Sequence, residues 1–244
     1  MLEIQDDSRP ACQDHPIERG GQEIFRPMES VAQFFLNDFP EISYPAGCDL
    51  LQIYWCPNDH FIEYAESDYE GPAVSLRWID SANRRENGEG HSNTDVPPYG
   101  ESYGVRPCCI TPERVVEFPY AEELPVETMR SLDAVDQAQG LRYQYALSVA
   151  RGWKVGGWAS WHSTDKRNLS CPVCEGPVAL LLKVDSSEWD GASDRWWPLE
   201  DRELDREVLA IAYEPTGVDV GRSGELRVFA CRADARHTPV LDIQ

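Results

Sequence analysis

The sequence predicts an α+β fold of mainly antiparallel sheets, in which two related halves pack as one compact body with a few short helices. Apolar, β-favouring segments are separated by long irregular links, and few segments are suited to be crossover helices between parallel strands. One segment of the first half also recurs in the second, which indicates two similar units in one fold. We expect a single domain over 1–244, with halves of about 24–132 and 133–244.

The recurring segment spans residues 51–60 and 226–237, with the sequences LQIYWCPNDH and LRVFACRADARH. Each copy is an apolar run that ends at a cysteine, Cys56 or Cys231. An aspartate follows three residues later, and a histidine comes just beyond it. Both copies therefore end in a pair of candidate metal ligands.

The first half begins with a polar stretch over 1–20, for which we expect no regular structure. The spacing of apolar residues predicts an amphipathic helix over 28–37 and strands over 50–55 and 73–79. Residues 81–104 are rich in Gly, Asn, Ser and Pro, which indicates a long surface loop. Thr111 followed by Pro112 is typical of a helix start, and that helix would end at Pro119.

Between the strands of the first half and those of the second, the sequence predicts helices over 124–132 and 134–150. A glycine- and tryptophan-rich turn follows at 153–161. The second half then predicts strands over 177–184, 208–213 and 224–231. The charged run 200–206 reads as a salt-bridged surface helix, and the acidic residues of 185–190 as a solvated turn.

The net charge of the chain argues against nucleic-acid binding. The chain has 43 acidic and 22 basic residues, a formal net charge of −21, and its basic residues are scattered as singles and pairs. Such a chain repels phosphate backbones, so we expect no nucleic-acid partner. A basic ligand or polypeptide would be attracted, although an acidic surface also serves solubility alone.

Compartment follows from the hydropathy pattern. The N-terminal residues lack the basic and apolar regions of a signal peptide, and the longest aliphatic run, 178–182, is far too short to span a bilayer. We therefore expect a cytoplasmic protein without membrane contact. Its 8 cysteines would be reduced thiols or metal ligands rather than disulfides.

Four second-half residues form a candidate zinc site. Cys171 and Cys174 are separated by two residues, a spacing that lets one tight turn aim both thiolates at one point. Cys231 and His237 would complete a tetrahedral shell if the last strand lies beside the strand that starts near Pro177. The alternative is a reduced Cys-x-x-Cys turn beside a buried cysteine that merely ends a strand.

Cys56 and His60 form a similar pair in the first half, and they can replace or join the second-half ligands. The adjacent Cys108 and Cys109 are poor partners, because neighbouring cysteines seldom chelate one ion well. The simpler interpretation is that Cys56 belongs to the core and His60 to a turn.

No conventional catalytic motif is present in the sequence: it has no Gly-x-Ser-x-Gly, P-loop, His-Glu-x-x-His or Gly-x-Gly-x-x-Gly. We assign no catalytic residue. A thioredoxin-type redox role for Cys171 and Cys174 is disfavoured, because that chemistry needs the pair at a helix N-terminus and here it precedes a strand.

Tryptophans supply candidate binding surfaces for a peptide. Three flank the glycine-rich turn and two more are flanked by charge: Trp153, Trp158, Trp161, Trp196 and Trp197. Tryptophan more often anchors a core, since each ring buries on the order of 200 Å².

Three segments resemble the YwqG-like family, a bacterial group related to the eukaryotic programmed-cell-death-protein-2 group, which acts in ribosome assembly. They are KVGGWASW over 154–161, CPVCEGPVALLLKVDS over 171–186 and GELRVF over 224–229, with 49–53 as a first-half counterpart of the Leu-Leu-Gln strand. Ala159, Lys183 and Arg222-Ser223 depart from the family pattern. The resemblance implies a duplicated β-rich fold, no established catalytic activity, and binding of polypeptides.

The leading hypothesis is a non-enzymatic, chaperone-like module that binds a protein or peptide and carries a structural zinc ion. Its duplicated architecture, acidic charge, aromatic residues and lack of catalytic motifs support this interpretation. Two alternatives stay open: a metal-dependent or redox enzyme centred on Cys171 and Cys174, and a toxin-neutralising immunity protein.

Overall fold

Three antiparallel sheets organise the described part of the chain. The computed structural model describes residues 9–64, 68–83, 103–162, 165–191 and 194–244. The sheets have the strand orders β1-β2, β3-β4-β5 and β6-β7-β8-β9. Their strands are β1 Ala11–Arg19, β2 Gln22–Pro27, β3 Glu29–Phe35, β4 Leu50–Glu63, β5 Asp68–Ile79, β6 Lys154–Val155, β7 Val178–Asp185, β8 Glu225–Cys231 and β9 Val240–Ile243.

Helices are short and lie outside the sheets' hydrogen-bonded ladders. They are α1 Val126–Gln139, α2 Tyr143–Ala146 and α3 Arg206–Tyr213, with single 3-10 turns at Ser81–Asn83, Ala121–Glu123 and Asp194–Trp196. The predicted α+β class with antiparallel sheets is therefore confirmed. Among the described residues, no helix combines the length and apolar character needed to cross a membrane.

One hydrophobic core joins the two larger sheets. Leu51, Ile53 and Trp55 of β4 belong to the same buried cluster as residues 182 and 184 of β7 and residues 226 and 228 of β8. Side chains alternate between the faces of a strand, so these positions define an inner face for each sheet. The residues between them form the outer faces, and both Cys56 and Cys231 lie on an outer face.

The outer face of the second large sheet carries buried charges. Lys183 Nζ lies 3.0 Å from Asp185 Oδ2 and 3.4 Å from Glu225 Oε2, and it donates to the Ala150 carbonyl at 3.0 Å. Arg227 pairs with Asp242 of β9 on the same face. The register places Lys183 opposite Arg227 and Asp185 opposite Glu225, so Lys183 is compensated along its own strand and diagonally across to β8, while Arg227 faces Asp242 directly. Asp185 is thus part of a buried ion-pair network, and the prediction of a solvated turn was wrong for it.

Two predicted elements have the opposite secondary structure. Residues 28–37 contain a strand, β3, because they pair with β4 along the sheet edge in a register that matches Phe35 with Leu50. Residues 206–213 are a helix, since the Asp205 side chain accepts hydrogen bonds from the backbone N–H groups of Glu207 and Val208 and caps it. Tertiary pairing and a local cap outweigh the apolar pattern in these segments.

Other boundaries also differ from the predictions. Residues 11–19 form β1 rather than an irregular tail, and 111–118 are not helical. The predicted helix over 134–150 divides at Gly140, whose φ of 66° ends α1 in the left-handed region. Within the charged run 200–206, residues 200–203 form turns, and Arg206 is helical as the first residue of α3. Most of the predicted loop over 81–104 lies outside the described residues.

Candidate metal centres

The second-half candidate ligands meet at one end of the β7-β8 pair. β7 and β8 are antiparallel, and Val178 at the start of β7 is opposite Cys231 at the end of β8. The turn that contains Cys171 and Cys174 leads directly into β7, so it arrives beside the end of β8. The four ligand atoms of Cys171, Cys174, Cys231 and His237 all lie within 4.8 Å of one another.

A tight turn presents Cys171 and Cys174. The N–H of Cys171 donates to the Gly176 carbonyl at 2.9 Å, and the N–H of Glu175 donates to the Cys171 carbonyl at 2.8 Å. The Val173 N–H also points at the Cys171 sulfur, 3.4 Å away. The turn therefore directs both thiols to one side and supplies a donor that favours a thiolate.

The loop after β8 brings His237 back to the same point. The Asp234 carboxylate accepts a hydrogen bond from the N–H of Arg236 at 2.9 Å, and the His237 N–H donates to the Asp234 carbonyl at 3.1 Å. The N–H groups of Asp234 and Ala233 near the Cys231 sulfur lower the pKa of that thiol to about 6. The aspartate of the recurring segment therefore shapes the turn that places the histidine.

Interatomic distances in this second-half cluster fit a four-coordinate ion. The Cys174 and Cys231 sulfurs are 3.5 Å apart, and the Cys171 sulfur is 3.4 Å from His237 Nδ1. Tetrahedral zinc, with bonds of about 2.3 Å to sulfur and 2.0 Å to nitrogen, separates its ligands by roughly 3.5–3.8 Å. A disulfide would instead require about 2.05 Å between sulfurs. This group can hold a metal ion.

A second group of the same kind lies in the first half. It consists of Cys12, His15, Cys56 and His60, whose ligand atoms also lie within 4.8 Å of one another. His15 Nδ1 is 3.5 Å from each of the two sulfurs, and the Cys12 sulfur is 3.6 Å from His60 Nε2. These separations match a tetrahedral shell as well as those of the second-half cluster.

An irregularity in β4 allows Cys56 and His60 to share this site. Four residues of a regular strand span about 13 Å, which is too far for two side chains to ligate one ion comfortably. The β4-β5 register shifts between Trp55 and Asp59, as at a β-bulge, and this shift shortens the path.

Burial shifts the pKa values of the two ligands that β4 supplies to the first-half cluster. It raises the pKa of the Cys56 thiol to about 11 and lowers the pKa of His60, opposed there by the nearby Asp14 carboxylate. Asp14 Oδ2 lies 3.1 Å from His60 Nδ1, which leaves Nε2 directed at the Cys12 sulfur. A neutral imidazole oriented by a carboxylate is a common arrangement among metal-ligating histidines.

Sequence reasoning missed Cys12, His15 and Asp14 because residues 1–20 show no strand periodicity. The available signal was the spacing: Cys12-x-x-His15 precedes Cys56 as Cys171-x-x-Cys174 precedes Cys231. Cys56 is buried, as expected of a core residue, but the interpretation of His60 as a turn residue was wrong, because His60 is buried within β4 and pairs with Gly71 of β5. Both clusters follow the same order in sequence, a two-spacer pair and then a cysteine with a histidine a few residues later.

The five candidate tryptophans have different environments. Trp161 is buried and stacks on Phe229 with ring centroids 6.4 Å apart, so it contributes to a core. Trp153, partly buried, donates from Nε1 to the Asp185 carbonyl at 3.0 Å. Trp196 and Trp197 are partly buried, and Trp158 is exposed. A binding role for any of the five stays a prediction.

Glu188, in the predicted acidic turn over 185–190, has a carboxyl with a strongly raised pKa. Burial raises the pKa of its carboxyl to about 7, with the Asp185 charge as a further cause.

No protein-family model matches the chain, and the search of curated proteins finds no match either.

Proposed function

We propose that this protein is a non-enzymatic polypeptide-binding module stabilised by a zinc ion at Cys171, Cys174, Cys231 and His237. The observation that carries the proposal is the approach of three sulfurs and one imidazole nitrogen to within 4.8 Å of one another. Thiolates with one imidazole are the ligand set that selects zinc among the abundant divalent metals.

A shell of four protein ligands makes this a structural site. Catalytic zinc keeps one coordination position for water or substrate, whereas three cysteines and one histidine fill all four. The proposed ion would therefore stabilise the fold and would not activate water. The enzyme alternative centred on Cys171 and Cys174 loses support for the same reason.

The proposed zinc would stabilise contacts between the two halves. The loop between Cys231 and His237 accepts a hydrogen bond at the Ala235 carbonyl from Trp78 Nε1, at 2.9 Å. Arg236 of the same loop donates to the Ala46 carbonyl at 3.3 Å. An ion that fixes both ends of this loop would fix these two contacts to the first half.

Metal content of the purified chain tests the zinc site. We expect the Cys174→Ser variant to contain one zinc fewer per chain than wild type after dialysis, measured by native mass spectrometry. Cys109→Ser is the matched control, because Cys109 is also exposed and belongs to neither cluster. Equal zinc content in wild type and Cys174→Ser would contradict the assignment.

Charge supports the polypeptide-binding part of the proposal. A net charge of −21 attracts basic, unfolded chains and repels nucleic acid. Trp158 offers an exposed aromatic surface for such a chain, at 40% exposure. The resemblance to the YwqG-like family is consistent with this role and stays a prediction.

A fluorescent, unstructured Lys-rich peptide provides the binding test. We expect saturable binding that weakens as salt rises and that is reduced in Trp158→Ala, with an uncharged peptide of equal length as the control. Tyr145→Ala is the matched variant, since Tyr145 is an aromatic residue of similar exposure, at 45%, outside the glycine-rich turn. Absence of binding, or equal binding of both peptides, would contradict the polypeptide-binding role.

A further inference from the structure

The described side chains of the N-terminal hairpin have almost no hydrophobic attachment to the described remainder of the chain. β1 and β2 form a separate two-stranded sheet, and among the hairpin side chains that the structure describes only Cys12 is buried. Ile24 and Phe25 of β2 are exposed, at 37% and 43%. No described hairpin residue belongs to either hydrophobic cluster. An isolated two-stranded hairpin is only marginally stable in water, so something other than apolar packing must hold this one.

The first-half cluster lies where the hairpin meets β4. The hairpin supplies Cys12 and His15 from β1, and the central strand of the neighbouring sheet supplies Cys56 and His60. The two rings, His15 and His60, have centroids 4.6 Å apart and are nearly perpendicular, at 84°. Each of the two elements thus contributes one sulfur and one imidazole to a single point.

An independent contact orients one of the imidazoles. Asp14, between Cys12 and His15 in sequence, places its carboxylate 3.1 Å from Nδ1 of His60. This arrangement directs the Nε2 lone pair of the ring toward the cluster, as carboxylates do for metal-bound histidines. Asp14 itself is largely exposed, at 75%, so this contact is explained better by orientation of His60 than by a buried ion pair.

We propose that Cys12, His15, Cys56 and His60 form a second structural zinc site, and that its ion fastens the N-terminal hairpin to β4. Two thiolates and two imidazoles complete a closed shell with no position for substrate. The ion replaces the apolar packing that the hairpin lacks. This proposal does not depend on zinc at the second-half cluster or on polypeptide binding.

Zinc stoichiometry in full-length variants tests the site. We expect about two zinc ions per wild-type chain and about one in a Cys12→Ser/His15→Asn variant. Gln13→Ala is the matched control on the same strand, since Gln13 is exposed and its amide contacts only the Ala11 carbonyl. Wild type and Cys12→Ser/His15→Asn binding the same amount of zinc would overturn the proposal.

The same measurement separates this site from the second-half site. Loss of one zinc in Cys174→Ser but none in Cys12→Ser/His15→Asn would overturn the present proposal and leave the proposed function intact. Loss in Cys12→Ser/His15→Asn but none in Cys174→Ser would do the reverse. Cobalt substitution adds a spectroscopic readout: the thiolate charge-transfer intensity should be in the ratio 2:3 for chains retaining only the first-half or only the second-half cluster.

Hydrogen–deuterium exchange tests the role of the ion. We expect amides of residues 11–27 to exchange at least tenfold faster in Cys12→Ser/His15→Asn than in wild type, while amides of β7 and β8 keep their protection. Retained protection of the hairpin after loss of that zinc would overturn the fastening role. Faster exchange throughout the protein would also overturn it, because the effect would then be global.

Asp14→Asn tests the positioning contact without removing a ligand. We expect zinc affinity at the first-half cluster to fall about tenfold, as is typical for loss of a carboxylate that orients a ligating histidine. The total zinc bound at saturation should stay at the wild-type value. An unchanged affinity would overturn the positioning role of Asp14.

Discussion

The two Cys/His clusters share one plan but connect different parts of the protein. Each takes a two-spacer pair from an upstream segment and then a cysteine and a histidine, which lie within β4 in the first half and at the end of β8 and in the loop after it in the second. In the second half, the upstream turn runs directly into β7, which already pairs with β8. In the first half, the upstream pair lies on a hairpin with no described residue in either hydrophobic cluster. The second-half ion would therefore reinforce existing packing, whereas the first-half ion would replace packing.

The sheets that carry the clusters also differ on their outer faces. Gln52 on the outer face of β4 and Lys183 on the outer face of β7 are both buried. Lys183 is compensated by Asp185 and Glu225. Gln52 accepts a hydrogen bond from the Tyr54 hydroxyl at 2.9 Å, and its Nε2 has no hydrogen-bond partner among the residues that the structure describes. One sheet thus depends on ion pairs where the other uses a neutral amide.

The largest expected effect comes from removing the second-half ion. We predict that Cys171→Ser lowers the free energy of unfolding by more than about 4 kcal/mol, because the ion's loss also releases the loop that contacts Trp78. The melting temperature, measured by calorimetry, should fall by roughly 10 °C.

The first-half variant Cys12→Ser/His15→Asn is the comparison for that measurement. It should lower the melting temperature by less than about 4 °C, since the hairpin adds little to the shared core. An equal or larger loss in the first-half variant would show that both ions reinforce the core in the same way.

Breaking the buried ion pairs should have the next largest effect. Lys183→Met removes the cation nearest to the buried Asp185 and Glu225, leaves Glu225 only its 3.9 Å ion pair with Arg227 among the described residues, and should cost about 3–5 kcal/mol by urea denaturation. Zinc content should be unchanged, because Lys183 is in neither cluster. A loss below about 1 kcal/mol would mean that the network does not stabilise this sheet.

The Glu188 carboxyl makes the stability of the second half depend on pH in a way that does not involve the metal ligands. Burial raises the pKa of this carboxyl to about 7, so its contribution to stability is fully present below the unfolded pKa of about 4.5 and is lost as pH rises through 7. Glu188→Gln keeps the neutral form at all pH values. It should stabilise the protein by about 2 kcal/mol at pH 8, since the side chain is only partly buried, and by almost nothing at pH 5. An equal effect at both pH values in thermal melts would contradict this account.

The smallest effect is expected at Gln52, a buried residue on the outer face of β4. Gln52→Leu removes an unpartnered amide N–H₂ group together with the acceptor of the Tyr54 hydroxyl, and these changes oppose each other. We predict a change within about 1 kcal/mol in urea denaturation. A loss as large as that of Lys183→Met would end the contrast between the two outer faces.

The sequence could predict the second-half cluster because its ligands flank strands with strong apolar patterns. Once β7 and β8 were recognised, antiparallel pairing brought the end of one beside the start of the other. Predicting the first-half cluster would have required two facts that the apolar pattern of the sequence does not show. A polar stretch forms β1, and the register of β4 shifts between Trp55 and Asp59.

Secondary structure was predictable where burial and pattern agree, as in β4, β7 and β8. The prediction was wrong for β3, where apolar residues at helical spacing form an edge strand paired with β4. It was also wrong for α3, where the Asp205 cap stabilises a helix. Short amphipathic segments have similar local energies as helix or strand, so long-range contacts determine the outcome.

Zinc X-ray absorption spectroscopy of the purified, dialysed wild-type chain tests the central claim most directly. The account predicts two zinc ions by elemental analysis of the same sample and, because the spectrum averages over both sites, about 2.5 sulfur and about 1.5 imidazole nitrogen ligands per zinc. Sulfur should lie at about 2.3 Å and nitrogen at about 2.0 Å, with no oxygen from water. A single zinc, a sulfur-poor shell or a bound water would contradict two closed structural sites.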